Sequence, residues 1–212
     1  MLVTLASLKG GAGKSTIAVN LAHAIAKSGK RVLLVDADPQ GSVSGWAGIR
    51  EEPPPFVVVG MARDTIHKEL PAMMEGFDHA VIDGPPRVSA IARSTILAAD
   101  LVLIPVQPSS YDVWAASETI AVVKEAQQYK TDLKCALVIN RKIAKTGIGQ
   151  EIGTALKDFD IPLLATSIGQ RVIFAESSAG YTVLELEPAG VAAKEILSLS
   201  KAVLKTLGVA KW

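Results

Sequence analysis

The sequence predicts an α/β fold, a doubly wound, mostly parallel sheet of about seven strands with helices on both faces. Three observations predict it. Short apolar runs alternate along the chain with longer amphipathic ones, the pattern of βαβ units. The apolar runs are near-continuous in Val, Ile and Leu, which suits strands buried on both sides. A glycine-rich turn carrying a lysine follows the first run and opens the first amphipathic stretch, as a phosphate-binding turn requires.

The elements follow in order. A strand at residues 2–7 leads into the glycine-rich turn, and a helix at 15–28 leaves it and closes at Gly29, where a helix-ending glycine belongs. A strand at 31–36 ends on a carboxylate and precedes a short helix at 42–47. Pro53, Pro54 and Pro55 break the chain in a surface loop before a strand at 56–59. A helix at 65–75 precedes the strand His79–Asp83, and a helix at 88–98 precedes a strand at 101–105. A helix at 112–129, a strand at 133–139, a helix at 148–158, a strand at 163–166 and a helix at 189–207 complete the series. No repeat or low-complexity tract interrupts it, and the 212 residues are read as a single domain, 1–212.

Composition excludes several function classes. Apolar residues make up 49% and charged residues 20%, so the chain can bury a large core and is not of disordered type. Lys and Arg number 22 against 21 Asp and Glu, a net charge of +1, so any contact with a polyanion must come from a local patch. The one cysteine, Cys135, excludes a disulfide framework and a cysteine-ligated metal site within one chain. His23, His67 and His79 lack metal-ligand spacing. No apolar run reaches the roughly 18 residues of a membrane span. No basic region precedes the first apolar stretch, which Lys9 interrupts early, so a secretory signal is not expected and a cytoplasmic protein is.

The segment Lys9-Gly10-Gly11-Ala12-Gly13-Lys14-Ser15-Thr16 is the strongest chemical signal and marks a P-loop NTPase. Its glycines let backbone N–H groups approach phosphate oxygens, and the following helix adds the positive end of its dipole. Lys14 is placed to reach the β- and γ-phosphates, the Ser15 hydroxyl to sit on Mg²⁺, and Thr16 to bond the α-phosphate. Two further segments end predicted strands at the edge of a parallel sheet that faces a ligand. In Asp36-Ala37-Asp38-Pro39-Gln40, one carboxylate orients the attacking water and the other orders the loop, unless both only cap the turn and the short helix. Val81-Ile82-Asp83-Gly84-Pro85-Pro86 has the form of a strand ending in a magnesium-holding aspartate.

The loop departs from the common G-x-x-x-x-G-K-[ST] form, because Leu8 stands at the first glycine position and the extra Lys9 follows it. That K-G-G-x-G-K-[ST] variant resembles the deviant Walker A motif of the ParA/MinD ATPase superfamily. The resemblance extends through D-x-D-P-Q at 36–40, the 81–86 segment and residues 98–108, covering about residues 2–140 and matching more loosely beyond. The short length is similar to that of the small, ParF-like plasmid partition subgroup. The resemblance implies that Lys9 crosses a nucleotide-sandwiched homodimer to the partner's phosphates. Asp38 is then the catalytic carboxylate beside Lys9 and Lys14, and Asp83 with Ser15 holds Mg²⁺.

Asn140-Arg141-Lys142-Ile143 ends the sixth predicted strand, where base recognition falls. A guanine site of the N-K-x-D kind needs a carboxylate where Ile143 stands, whereas an asparagine can exchange two hydrogen bonds with an adenine edge. The family uses an asparagine here for adenine, so ATP is the expected nucleotide, held at residues 9–16 and by Asn140 and Arg141. Gly169-Gln170-Arg171, after the seventh predicted strand, is placed to close over the base.

Family members of this type bind nucleoid DNA non-specifically as ATP dimers, and a cognate ParB- or ParG-like adaptor stimulates weak hydrolysis. That resemblance implies a cytoplasmic, nucleoid-associated ATPase that segregates a plasmid or other cargo. Candidate DNA contacts are Arg171 and Lys194, Lys201 and Lys205, the three lysines lying near one helical face. Ile196, Leu199, Val203 and Leu207 form the opposite, apolar stripe. It either packs on the sheet or lies on a membrane as in MinD-like relatives, and the modest amphipathicity left by Ser198 and Ser200 favours packing. A metabolic enzyme of the dethiobiotin-synthetase kind is a further alternative, but no residues specify an acceptor pocket. The chain's three tyrosines and one cysteine do not fit the related tyrosine kinases or iron–sulfur proteins.

Overall fold

A computed structural model describes residues 1–143, 154–156 and 158–212. Its strands are β1 (Leu2–Leu5), β2 (Val32–Asp36), β3 (Val57–Gly60), β4 (His79–Asp83), β5 (Leu101–Val106), β6 (Lys134–Lys142) and β7 (Leu163–Gly169). They form one sheet in the order β3-β2-β4-β1-β5-β6-β7, and every pairing is parallel. The helices are α1 (Lys14–Ala26), α2 (Ser42–Gly48), α3 (Ile66–Met73), α4 (Ala90–Ala98), α5 (Ser110–Gln127), α6 (Val172–Glu176), α7 (Val183–Leu186) and α8 (Val191–Leu207). A 3₁₀ turn, Ser177–Ala179, lies between α6 and α7.

Alternation along the strands sorts the core into two layers. Leu5, Leu34, Val81 and Leu103 pack with Ile17, Leu21, Ile196 and Val203, so α1, α2 and α8 cover one face. Their strand neighbours point the other way: Val102 and Ile104 pack with Ile96, Ile120 and Val123 of α4 and α5, and Leu33, Val35 and Ile82 pack with Ile66 and Leu70 of α3. The fold is therefore the expected doubly wound one. β2, β4, β1, β5 and β6 read as unbroken apolar runs because helices cover both of their sides.

Parallel pairing brings the carboxyl ends of the strands to one edge. Leu5 pairs in register with Asp83, and Asp83 pairs with Asp36. The loops after β1 and β2 are separated there only by β4, about 10 Å at the usual strand spacing.

Most differences from the sequence reading lie at element ends. β1 stops at Leu5, and α4 and α5 begin one residue after Ser89 and Ser109, whose hydroxyls accept from Ala92 N and Asp112 N. β6 runs on through Asn140 to Lys142, and β7 reaches Gly169, so Gly169 lies within the strand that it was expected to follow. The expected helix at 148–158 lies mostly outside the described residues. The short α6 and α7 carry no long periodic pattern and were not expected.

The stripe on α8 is packed. Ile196, Leu199 and Val203 are fully buried in the core, each side chain worth roughly 1.5–3 kcal/mol on burial, and Leu207 and Trp212 pack against them. Trp212 Nε1 donates to Ser200 Oγ at 2.7 Å, and the ring lies edge-on to His79 with centroids 5.1 Å apart. Among the described residues no helix is long and apolar enough to cross a membrane.

Candidate nucleotide site

The loop between β1 and α1 is shaped by backbone geometry and by three braces. Gly13 adopts φ 92°, a left-handed conformation that side chains disfavour, and a Cβ there would meet Asn140 Nδ2 at 2.2 Å. Leu8 N donates to Thr119 Oγ1 at 3.2 Å, Gln107 Nε2 to Gly11 O at 2.8 Å, and Asn140 Nδ2 to Ala12 O at 2.7 Å. Leu8 itself packs against the α4–α5 core, which is what an apolar residue gives the loop in place of the usual glycine. No side chain caps α1, so its first N–H groups stay available to the loop.

Lys14 is buried. Desolvation lowers its pKa, and the opposing charges of Asp83 and Asp38 hold it up. Asp83 is fully buried, and neither carboxylate oxygen has a hydrogen-bond partner among the described residues. Burial raises its pKa to about 7. The nearby Ser15 hydroxyl and the Lys14 charge work against that rise, while Asp36 and Asp38 add to it. A buried carboxylate with so few donors near it is costly. Its orphaned oxygens beside the Ser15 hydroxyl are a hard oxygen donor set, and these residues fit Mg²⁺.

The two carboxylates after β2 have different surroundings. Asp36 is buried and accepts from Asp38 N at 3.3 Å through Oδ1 and from Ser44 N at 2.7 Å through Oδ2. It orders the loop and ties it to the first turn of α2. Asp38 accepts from Gln40 N at 3.0 Å through Oδ1, and Gly41 N donates to its carbonyl at 2.9 Å. Its charge is felt by both Lys14 and Asp83. Lys14, Ser15, Asp83 and Asp38 thus converge on one edge of the sheet. Lys9 Nζ instead lies 2.8 Å from Oδ2 of Asp112 on the first turn of α5.

A cleft next to the loop is lined by Thr16, Asn140, Arg141, Gly169, Arg171 and Phe174 among others. Asn140 lines it while bracing the loop through Ala12. Arg141 has φ 54°, an uncommon value for a residue with a side chain, of the kind found beside ligand sites. The Arg171 guanidinium forks onto Glu195 at 2.7 and 3.2 Å, so its charge is already paired at the cleft wall. Lys194, Lys201 and Lys205 are exposed on the outer face of α8. The structure therefore gathers the phosphate-loop residues, Asp38, Asp83, Asn140 and Arg141 at one edge and leaves the three lysines exposed on α8.

Sequence reasoning missed Asp112, Thr119, Gln107 and Phe174. Ser109-x-x-Asp112 carries a helix-start signature in the sequence. Only the adjacency of β1 and β5 in the sheet turns that cap into a neighbour of Lys9.

The chain matches known proteins over most of its length. The family model for the CobQ/CobB/MinD/ParA nucleotide binding domain matches residues 3–182. The chain is similar to maintenance of carboxysome distribution protein A of Halothiobacillus neapolitanus, at 32% identity over 197 residues and 91% of each chain. It is similar to the chromosome-partitioning ATPase Soj of Thermus thermophilus, at 28% identity over 236 residues, 95% of this chain and 94% of that one. An ATP complex of Cyanothece McdA shares the fold, with a TM-score of 0.81 at 20% identity over 100% of this chain and 97% of that one.

Proposed function

On the premise that the chain belongs to the CobQ/CobB/MinD/ParA nucleotide-binding domain family, we propose that it is a magnesium-dependent ATPase that positions cargo. One observation carries the reading: Asp83 is fully buried with the Ser15 hydroxyl as its near donor, next to Lys14 and an uncapped helix start. When bound, Mg²⁺ supplies charge neutralisation on the phosphates. Lys14 holds the phosphate tail, the N–H groups of residues 10–16 cradle it, and Ser15 and Asp83 hold the metal. Asp38 orients the attacking water, and the cleft beside Asn140 and Arg141 takes the adenine base.

In this proposal ATP joins two copies, and Lys9 of each copy serves the other's nucleotide. A second cation beside transferred negative charge stabilises it, as an arginine finger does. The dimer doubles the row of Lys194, Lys201 and Lys205, which helps weak contacts to nucleoid DNA act together. Arg171, paired with Glu195 of the same helix that carries the row, lines the cleft and is a further candidate contact to DNA. A cognate adaptor then stimulates a slow intrinsic hydrolysis and releases the dimer. The relatives are named for carboxysome distribution and chromosome partitioning, and those names support a large assembly or a replicon as cargo. Residues 1–212 act as one unit throughout.

DNA binding measured with ADP, with ATP and with a slowly hydrolysed ATP analogue tests the reading. Binding that appears with ATP and the analogue but not with ADP is the expected result. Binding that ignores the nucleotide overturns it.

A further inference from the structure

A ring of contacts joins the two loops of the site on the side away from the sheet, and its links are side chains that the proposed chemistry leaves unused. It starts at the carboxylate loop, where Asp36 Oδ2 holds Ser44 N and so fixes the first turn of α2 to the segment that carries Asp38. At the far end of α2, Trp46 Nε1 donates to Ser177 O at 3.2 Å and Tyr181 O at 3.0 Å. Arg50 lies over the Trp46 ring, 5.0 Å from its centroid. Its guanidinium forks onto Glu185 at 2.8 and 3.1 Å and donates to Gly180 O at 2.6 Å. Segment 177–185 is bonded in turn to the phosphate-loop helix. Val183 N donates to Asn20 Oδ1 at 2.8 Å, Asn20 Nδ2 donates to Thr16 O at 2.8 Å, and His23 Nδ1 meets Thr182 Oγ1 at 2.7 Å.

The sheet alone leaves β4 between the two loops, and α2 is only seven residues long. A helix that short does not hold its own position in water and is placed by what it packs against. Arg50 is mostly buried, its side chain 8% exposed, and a forked guanidinium–carboxylate pair in that setting fixes geometry as well as charge. We infer that Arg50 is a positioning residue for Asp38: with Glu185 and Trp46 it locks α2 to segment 177–185 and so sets where Asp38 stands relative to Lys14. The inference rests on the proposal that Asp38 orients the attacking water. The phosphate loop keeps its own braces from Thr119, Gln107 and Asn140, so loss of the Arg50 lock displaces Asp38 and leaves nucleotide capture intact.

The test measures kcat and ATP affinity separately for the full chain and for Arg50→Gln, Glu185→Gln and the exchanged pair R50E/E185R. Trp46→Phe is a milder variant that keeps an aromatic face under Arg50 while removing the bonds to Ser177 and Tyr181 and part of the indole's packing on Phe56. Displacing a catalytic group by about 1 Å costs up to about a hundred-fold in rate. The expected result is a fall in kcat of order ten-fold or more in both single variants, ATP affinity within about two-fold of the parent, and recovery in the exchanged pair. A folded Arg50→Gln protein with the parent's kcat overturns the inference, and so does a parallel loss of kcat and ATP affinity. If Arg50→Gln does not fold, Trp46→Phe decides by the same two measurements. A parent chain that turns over no ATP counts against the ATPase proposal, whereas an active parent with an equally active variant counts only against the role of Arg50.

Discussion

Lys9 Nζ lies 2.8 Å from Asp112 Oδ2, so the loop's extra lysine is paired within its own chain, and Ser109 Oγ bonds the same carboxylate oxygen. The lysine side chain is 38% exposed. Its partner Asp112 is only 6% exposed, so the pair is half-buried, and the Ser109 hydroxyl stays on the carboxylate when Lys9 turns to a stronger anion. Lys9→Ala is expected to lower unfolding stability, because it leaves the buried Asp112 carboxylate without its cation, while impairing ATP-dependent dimer formation or turnover. Denaturant unfolding and light scattering with ATP and magnesium check the two halves separately.

Lys14→Ala should abolish ATP binding, because it removes the cation that faces Asp83 and Asp38 at the loop's centre. Gly13→Ala should weaken ATP binding for a different reason. Its Cβ would meet Asn140 Nδ2 at 2.2 Å, and φ 92° is strained for alanine. Equilibrium binding of a fluorescent ATP analogue reads both, and normal affinity in Lys14→Ala would remove the phosphate assignment.

Asp38→Ala should keep ATP binding and dimer formation and stop turnover. Asp36→Ala should instead lower thermal stability, because Ser44 N and Asp38 N lose their buried acceptor. Phosphate release and thermal melts on the same two proteins distinguish these roles, and unchanged hydrolysis in Asp38→Ala would show that another carboxylate orients the water.

These pairs also show what could be read before the fold was known. The glycine-rich loop, the buried aspartate that ends β4 and the α/β architecture were legible because each depends on local chemistry: glycines at fixed spacing, or an apolar run ending in a carboxylate. Asp112 beside Lys9, Asn140 against Gly13, and Arg50 on Glu185 were not legible. Each joins elements far apart in the chain, and only the strand order brings them together. Asn140 was read for the base alone, and its second task, bonding Ala12 O, follows from the reach of β6 past its expected end. The stripe on α8 was legible as apolar, but its burial needed the α1 face to be seen.

Replacing Lys194, Lys201 and Lys205 together with alanine should weaken ATP-dependent DNA binding and flatten its salt dependence, because each lost phosphate contact lowers the slope by about one. All three side chains are exposed, so the fold should be unaffected. An unaltered salt slope would place the DNA face elsewhere.

His79 supplies a pH signature of the fold itself. Burial lowers its pKa from 6.5 to about 4, and the N-terminal ammonium and Lys30 act in the same direction against the pull of Asp78. The fold therefore holds the ring neutral, and the unfolded chain binds the proton more readily. This contribution is fully present above about 6.5 and is lost as the pH falls toward 4. His79→Gln should narrow the gap between melting temperatures at pH 7 and pH 5. An unchanged gap would place the acid sensitivity in other groups.

The three bonds that steady the glycine-rich turn come from α5, from the end of β5 and from β6, all supplied by the chain itself. A receptor that is already in shape gives up little disorder when it is filled. In the proposed ATPase, loading and discharge would then be governed by how firmly the guest is gripped and not by refolding of its seat.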